Sequence, residues 1–210
     1  MKKLSTSKQM AINMVAAIVS FLIGTGINFV LAPYLVKELG SETYGFIGLA
    51  NNFVQYATIV TSALNSMSGR FISIEYSKGN IDKASRYFSS VLVADLIIAG
   101  VLLLVSSIIT FNIEFILNVP ENLVDSVKIL FALTFATFII SVITAIFTTA
   151  AFVKNKLYIN SLRDIASNTL KLLLVVILFS FFPAKVYFLA MASLASGIFL
   201  LLTNIKVKNK

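Results

Sequence analysis

Residues 9–36 read QMAINMVAAIVSFLIGTGINFVLAPYLV and hold no Asp, Glu, Lys or Arg. A helix needs roughly 20 predominantly apolar residues to cross a hydrocarbon core about 30 Å thick. A water-soluble helix buries one stripe and keeps a charged face, and this stretch has no such face. Working outward, residues 43–69, 129–153 and 186–205 are equally free of charge, residues 87–113 hold only Asp95, and residues 165–184 hold only Lys171. The pattern predicts an all-α polytopic membrane protein with six transmembrane helices in one bundle. A transmembrane β-barrel would alternate polarity over strands of about ten residues, which these continuous runs do not.

The composition agrees: 58% hydrophobic, 12% charged, with a mean hydropathy of +0.93. The net charge of +8 is a record of topology. With the N-terminus placed in the cytoplasm, Lys2, Lys3, Lys8, Arg70, Lys78, Lys83, Arg86, Lys154, Lys156, Arg163, Lys171, Lys206, Lys208 and Lys210 fall on the inner side. Only Lys37, Lys128 and Lys185 fall outside. Basic loops stay in the cytoplasm, so both termini are expected there, in a multi-pass protein of the cytoplasmic (inner) membrane. No nucleic-acid partner is implied. The Met-Lys-Lys start precedes an apolar run far longer than a signal's core, so it is read as a retained first helix. Cys and His are both absent, and neither cofactor, metal nor catalytic residue is predicted.

The expected arrangement is a single membrane domain over 1–210. Its helices are placed at 10–36, 44–69, 87–110, 122–153, 164–182 and 186–205. Pro33 falls near the outer end of the first. Gly79-Asn80 has the chemistry of a C-cap followed by an N-cap, and Pro120-Glu121 that of a helix start. Lys154 to Asp164 is expected as a basic loop. The outer loops are short and hold Glu38, Glu42, Glu114, Glu121 and Asp125, too little for an enzyme that polymerises or ligates glycans.

Polar residues within such spans should face protein or water. On the second helix Asn51, Gln55, Thr58, Ser62, Asn65 and Gly69 recur every three or four residues and share one face. Each amide brings two donors and an acceptor, a set that an aqueous cavity satisfies more readily than packing does. Weaker stripes run along the first helix (Asn13, Ala17, Ser20, Gly24, Asn28) and the fourth (Thr134, Thr137, Ser141, Thr144, Thr148). Those two suit close helix packing. Asp95, about nine residues into the third helix, is either an ion- or proton-coupling group or a structural partner for a basic residue. Arg70 and Lys171 either pair with it, bind phosphate or anchor the inner surface; anchoring is the expected role.

Pro33-Tyr34-Leu35, Leu39-Gly40 and Tyr44-Gly45 resemble the start of bacterial polysaccharide-biosynthesis flippases, in the multidrug/oligosaccharidyl-lipid/polysaccharide exporter superfamily. Asn65, Gly69-Arg70-Phe71, Gly79-Asn80, Ala84 and Arg86-Tyr87-Phe88 resemble that family's first cytoplasmic loop. The resemblance implies alternating-access transfer of an undecaprenyl-diphosphate-linked oligosaccharide across the bilayer, for surface polysaccharide such as the lipopolysaccharide O-antigen. It implies that Asn28, Asn51, Gln55, Asn65 and Arg70 line a substrate cavity; the second-helix face adds Thr58 and Ser62 as cavity candidates, and Asp95 is the ion-coupling candidate. Members have twelve or fourteen helices in two bundles. Six therefore imply one bundle, completed by a second half or by a homo-oligomer. Cavities in such proteins are often cationic, yet the first two helices carry no deep basic residue, so the charge must come from elsewhere. The competing expectations are a cation-coupled multidrug or metabolite exporter and a non-transporting fragment.

Overall fold

A computed structural model of the chain describes residues 6–153 and 157–208. Lys2, Lys3, Lys154, Lys156 and Lys210 of the topology count lie outside the described residues. Seven α-helices and one 3-10 turn make up the described chain: α1 (Thr6–Leu39), α2 (Ser41–Ser77), α3 (Ile81–Phe111), α4 (Ile113–Ile116), the turn Glu121–Leu123, α5 (Val124–Val153), α6 (Leu157–Phe181) and α7 (Phe188–Lys208). The expected third to sixth spans are therefore α3, α5, α6 and α7. The short α4 was not anticipated.

Among the described residues, five helical stretches are long and apolar enough to cross a membrane: Ser7–Leu39, Ile81–Phe111, Glu121–Ala145, Leu157–Phe181 and Phe188–Ile205. The expected second span is not among them. Its run of amides and hydroxyls lowers the average apolarity of α2, although residues 43–69 carry no charge. This helix is instead held between protein neighbours, packing along α3 and α5.

Local chemistry sets the boundaries. Gly40 between α1 and α2 and Gly79 between α2 and α3 take φ of 80° and 81°. Only a residue without Cβ adopts that conformation freely. At Gly79 the Asn80 N–H donates to Glu75 O and the Gly79 N–H to Tyr76 O, which is a Schellman closure. Asn80 opens α3, but its side chain does not cap that helix. Its Nδ2 donates to Glu75 Oε2 at 3.0 Å. Glu75 also pairs with Lys78 at 3.5 Å and Lys83 at 3.8 Å. The Asn80 amide, and secondarily the two ammonium groups, hold the Glu75 carboxyl below its ordinary value against the opposing effect of burial. At the other end of the bundle the Lys128 hydrogen bond does the same for Glu114, the two groups meeting at 2.8 Å.

Consecutive long helices run antiparallel. α5 lies against α2, α3 and α7, while α6 bridges α1 and α7, and α1 touches α2 only sparsely. The result is a ring, α1–α6–α7–α5–α2, with α3 packed outside the α2–α5 edge. Buried apolar residues concentrate at the end holding Gly40. One cluster joins Phe46, Ile47 and Ala50 of α2 to Leu130, Phe131 and Phe135 of α5. A second joins Leu31 and Leu35 of α1 to Val175 and Phe179 of α6 and Phe188 of α7. Phe131 is 0% exposed and meets Phe53 and Phe135 edge to face, an arrangement worth about 0.5–1.5 kcal/mol per pair beyond contact area. At the opposite end, which carries Arg70, Lys78, Lys83 and Arg86, the buried cluster shrinks to Ile72 and Ala84. The ring is closed at the Gly40 end and looser at this basic end.

Candidate functional site: a polar track along the α2–α5 seam

Three cavities follow one another down the ring. The first, about 420 Å³, is lined by Asn28 of α1, Asn51 of α2, Thr134 of α5, Lys171 of α6 and Ser193 of α7, over a floor that includes Leu31, Leu35, Ile47 and Leu130. The second, about 390 Å³, lies between Thr58, Thr61, Ser62, Asn65 and Ser66 of α2 and Ser141, Val142 and Thr148 of α5. The third, about 730 Å³, reaches the basic end past Asn65, Gly69, Arg70 and Ser73, with Thr148 and Asn160 opposite. The last two share Asn65, Ser66 and Thr148, and are therefore continuous.

The α2 face read from sequence supplies most of this lining. Thr58 Oγ1 donates to Val54 O, Ser62 Oγ to Ile59 O and Asn65 Nδ2 to Thr61 O. Hydroxyl protons are thus spent within the helix, leaving oxygen lone pairs and amides toward the groove. Gln55 is exposed but lines none of the cavities described here. The α5 stripe, expected to be packing, divides by angle. Thr137 lies toward α7, where its methyl would stand 3.8 Å from a Cβ placed on Gly197. Thr134, Ser141 and Thr148 line the track. The α1 stripe also divides: Asn13 Oδ1 accepts the Tyr158 N–H of α6 at 3.0 Å, whereas Asn28 lines the first cavity.

Lys171 corrects the expectation of an inner-surface anchor. α6 starts at Leu157, within the stretch expected as the Lys154 to Asp164 loop, and not at residue 164. Lys171 consequently lies about 21 Å along the helix from its start. Its Nζ donates to Asn28 Oδ1 at 3.2 Å across the α1–α6 boundary. It does not pair with Asp95, and it supplies the deep positive charge missing from α1 and α2. The readable signal was its place inside an otherwise uncharged run, on one face with Asp164, Asn168 and Val175. Arg70 is exposed at the basic end of the track, and no salt bridge to it appears among the described residues.

Asp95 is 0% exposed, and neither carboxylate oxygen has a hydrogen-bond partner among the described residues. It lies on the buried face of α3 with Ala84, Ala99 and Ser106 and borders none of the three cavities. The structure thus separates it from both basic residues considered as its partners.

Bilayer-length helices around a row of polar-lined cavities, with Lys171 in the first and Arg70 in the third, define a polytopic membrane protein. Residues 10–209 match the family model described as "Polysaccharide biosynthesis protein", and the chain belongs to that family. It is 33% identical over 187 residues to an "Uncharacterized membrane protein EpsK" of Bacillus subtilis (strain 168), a match covering 89% of this chain. The chain spans about a third of the length of that curated relative, 37% of which is covered. No solved structure matches the chain.

Proposed function

We propose that the chain forms the first bundle of a flippase that carries an undecaprenyl-diphosphate-linked oligosaccharide across the cytoplasmic membrane, with both termini in the cytoplasm. The observation that carries this reading is the row of three cavities, each lined in part by amides or hydroxyls, with Lys171 in the first and Arg70 in the third. Hydroxyls and amides suit sugars, and fixed cations suit a diphosphate. The apolar rim of exposed side chains such as Phe21, Phe29 and Phe111 suits a polyprenyl tail or bilayer lipid. Family membership and the membrane-protein relative support the same reading. The sparse α1–α2 boundary leaves the track open to a second six-helix half, which alternating access requires. An exporter of cationic drugs is disfavoured by a lysine in the cavity wall.

The test is export of surface glycan by the full-length protein after Asn51, Asn65 and Ser62 are changed together to Leu. Export should fall below about a tenth of the parental level while the protein stays in the membrane. Unchanged export removes the track from the transport path.

A further inference from the structure

The α1–α6 seam has two sides. Asn28, Leu31 and Leu35 of α1 face the first cavity. On the other side lies a groove of about 470 Å³, to which α1 contributes Ile12, Val15 and Val19 and α6 contributes Tyr158, Leu162 and Ile165. At 3.6 residues per turn, these α1 positions point about half a turn away from Asn28, Leu31 and Leu35. The groove therefore opens outward, where a membrane-spanning bundle meets lipid. The Tyr158 hydroxyl is the one polar side-chain group among its lining residues. Its hollow has a local cause. Ala11 and Ala16 bring only methyl groups to the groove, while Ile12, Val15 and Val19 stay 41%, 61% and 43% exposed beside it.

The two ends of the groove differ. From Ala11 to Val19 is eight residues, about 12 Å of helix, close to half of a hydrocarbon core about 30 Å thick. One turn before Ala11 and Ile12 comes Lys8, at the spacing that puts it on the same face as Ile12, Val15 and Val19. Lys8 is exposed, and no salt bridge to it appears among the described residues. Tyr158 is fixed at the same basic end of the bundle, because its N–H is held by Asn13 Oδ1. Tyrosine favours the headgroup level of a bilayer, and lysine reaches to the surface over its apolar stem. A cation and a phenol at one end of an apolar channel suit a negative head above a hydrocarbon chain. Arg163 adds nothing to this end, since its Nη1 donates to Asn204 Oδ1 of α7 at 2.7 Å. Lys171 lines the first cavity, on the inner side of the seam. A polyprenyl tail whose diphosphate it held would have to cross the α1–α6 contact to enter the groove.

We propose that the outward α1–α6 groove is a binding site for an anionic glycerophospholipid of the bilayer, with one acyl chain along Ile12, Val15, Val19, Leu162 and Ile165 and its phosphate on Lys8. The site is independent of which solute the cavities carry.

The chain contains no tryptophan, so Leu162→Trp, on the groove wall, provides a single fluorescent reporter in the chain reconstituted into phosphatidylcholine vesicles. Quenching is followed as phosphatidylglycerol brominated on its acyl chains replaces the host lipid, and is compared with brominated phosphatidylcholine. One basic residue near a membrane surface favours an anionic lipid by about fivefold, so the brominated phosphatidylglycerol should occupy the groove about five times as readily. Lys8→Gln should bring the two lipids within about twofold, and Lys37→Gln at the far end should keep the preference. Ala16→Phe fills the groove and should cut quenching by either lipid to about half or less; Ala11→Phe serves where Ala16→Phe fails to fold. Equal quenching by the two lipids in the parent overturns the proposal. So does a preference that survives Lys8→Gln, and so does quenching unchanged by the filled groove. Displacement of the brominated lipid by polyprenyl phosphate would give the groove to the isoprenoid tail, and resistance to both brominated lipids would give it to a protein neighbour; either result also overturns it.

Discussion

Replacing Lys171 by Met removes the one cation that α6 places in the first cavity and preserves most of the side chain's volume. At contact distance and an effective dielectric near 20, two unit charges attract by about 4 kcal/mol, an upper limit before desolvation is charged against it. Lys171 already donates to Asn28 Oδ1 at 3.2 Å, and that bond must be exchanged for one to phosphate. A hydrogen bond to a charged group nets about 1.5–3 kcal/mol. Exchange leaves at most roughly 1–2.5 kcal/mol, so Lys171→Met should weaken diphosphate binding about 5- to 70-fold. Asn28→Ala acts in the opposite sense. It frees the ammonium from its tether and should leave affinity unchanged or raise it. The assay is calorimetric titration of the nanodisc-held protein with a short-chain polyprenyl diphosphate, compared with the corresponding alcohol. A Lys171→Met protein that binds the diphosphate within threefold of the parent refutes the assignment. Matched losses in Lys171→Met and Asn28→Ala would show instead that the pair merely staples α1 to α6.

Further predictions address geometry and stability. Single cysteines at Asn51, Ser62 and Arg70 should label rapidly with a membrane-impermeant thiol reagent, and one at Thr137, turned toward α7, should not; the reverse pattern would mean α2 is rotated away from water. Asp95→Leu removes two unpartnered buried oxygens and should stabilise the fold by about 1–3 kcal/mol in detergent denaturation, whereas a loss of stability would reveal a partner. Glu75 has its folded value lowered, chiefly by Asn80. Its contribution is therefore present above the ordinary carboxylate value and lost as pH falls through the folded one. Melting temperature should drop as pH falls below the ordinary carboxylate value in the parent, and Glu75→Gln should flatten that limb. Phe131→Ala should cost about 3–5 kcal/mol, since the ring is fully enclosed where α2 meets α5.

Much of this molecule is legible without coordinates. Charge-free runs announce helices of bilayer length, because ions are costly in hydrocarbon wherever the chain later packs. The Gly79-Asn80 boundary is equally local: a left-handed residue and a Schellman closure need only their immediate neighbours. The α2 stripe is visible because helical periodicity alone puts Asn51, Thr58, Ser62 and Asn65 on one side. Gln55 belongs to the same stripe yet borders no described cavity. Periodicity gives an angle about an axis, and it does not say where along that axis the neighbours draw apart.

What tertiary structure alone decided concerns partners and depth. A count of charges along the chain gave Lys171 to the inner surface; the earlier start of α6 and its parallel docking on α1 moved it into the cavity beside Asn28. Asp95 and Lys171 are both lone charges in apolar runs, and nothing in one dimension distinguishes them. Packing does: α3 turns Asp95 into the bundle with no hydrogen-bond partner among the described residues, and α6 turns Lys171 toward a space ringed by five helices. The α5 hydroxyls divide for the same reason, Thr137 against α7 and Ser141 on the track. Helix formation is set by local bonds and by the solvent. The rotation and register of one helix against the next are set by side chains distant in sequence, and those place the charges.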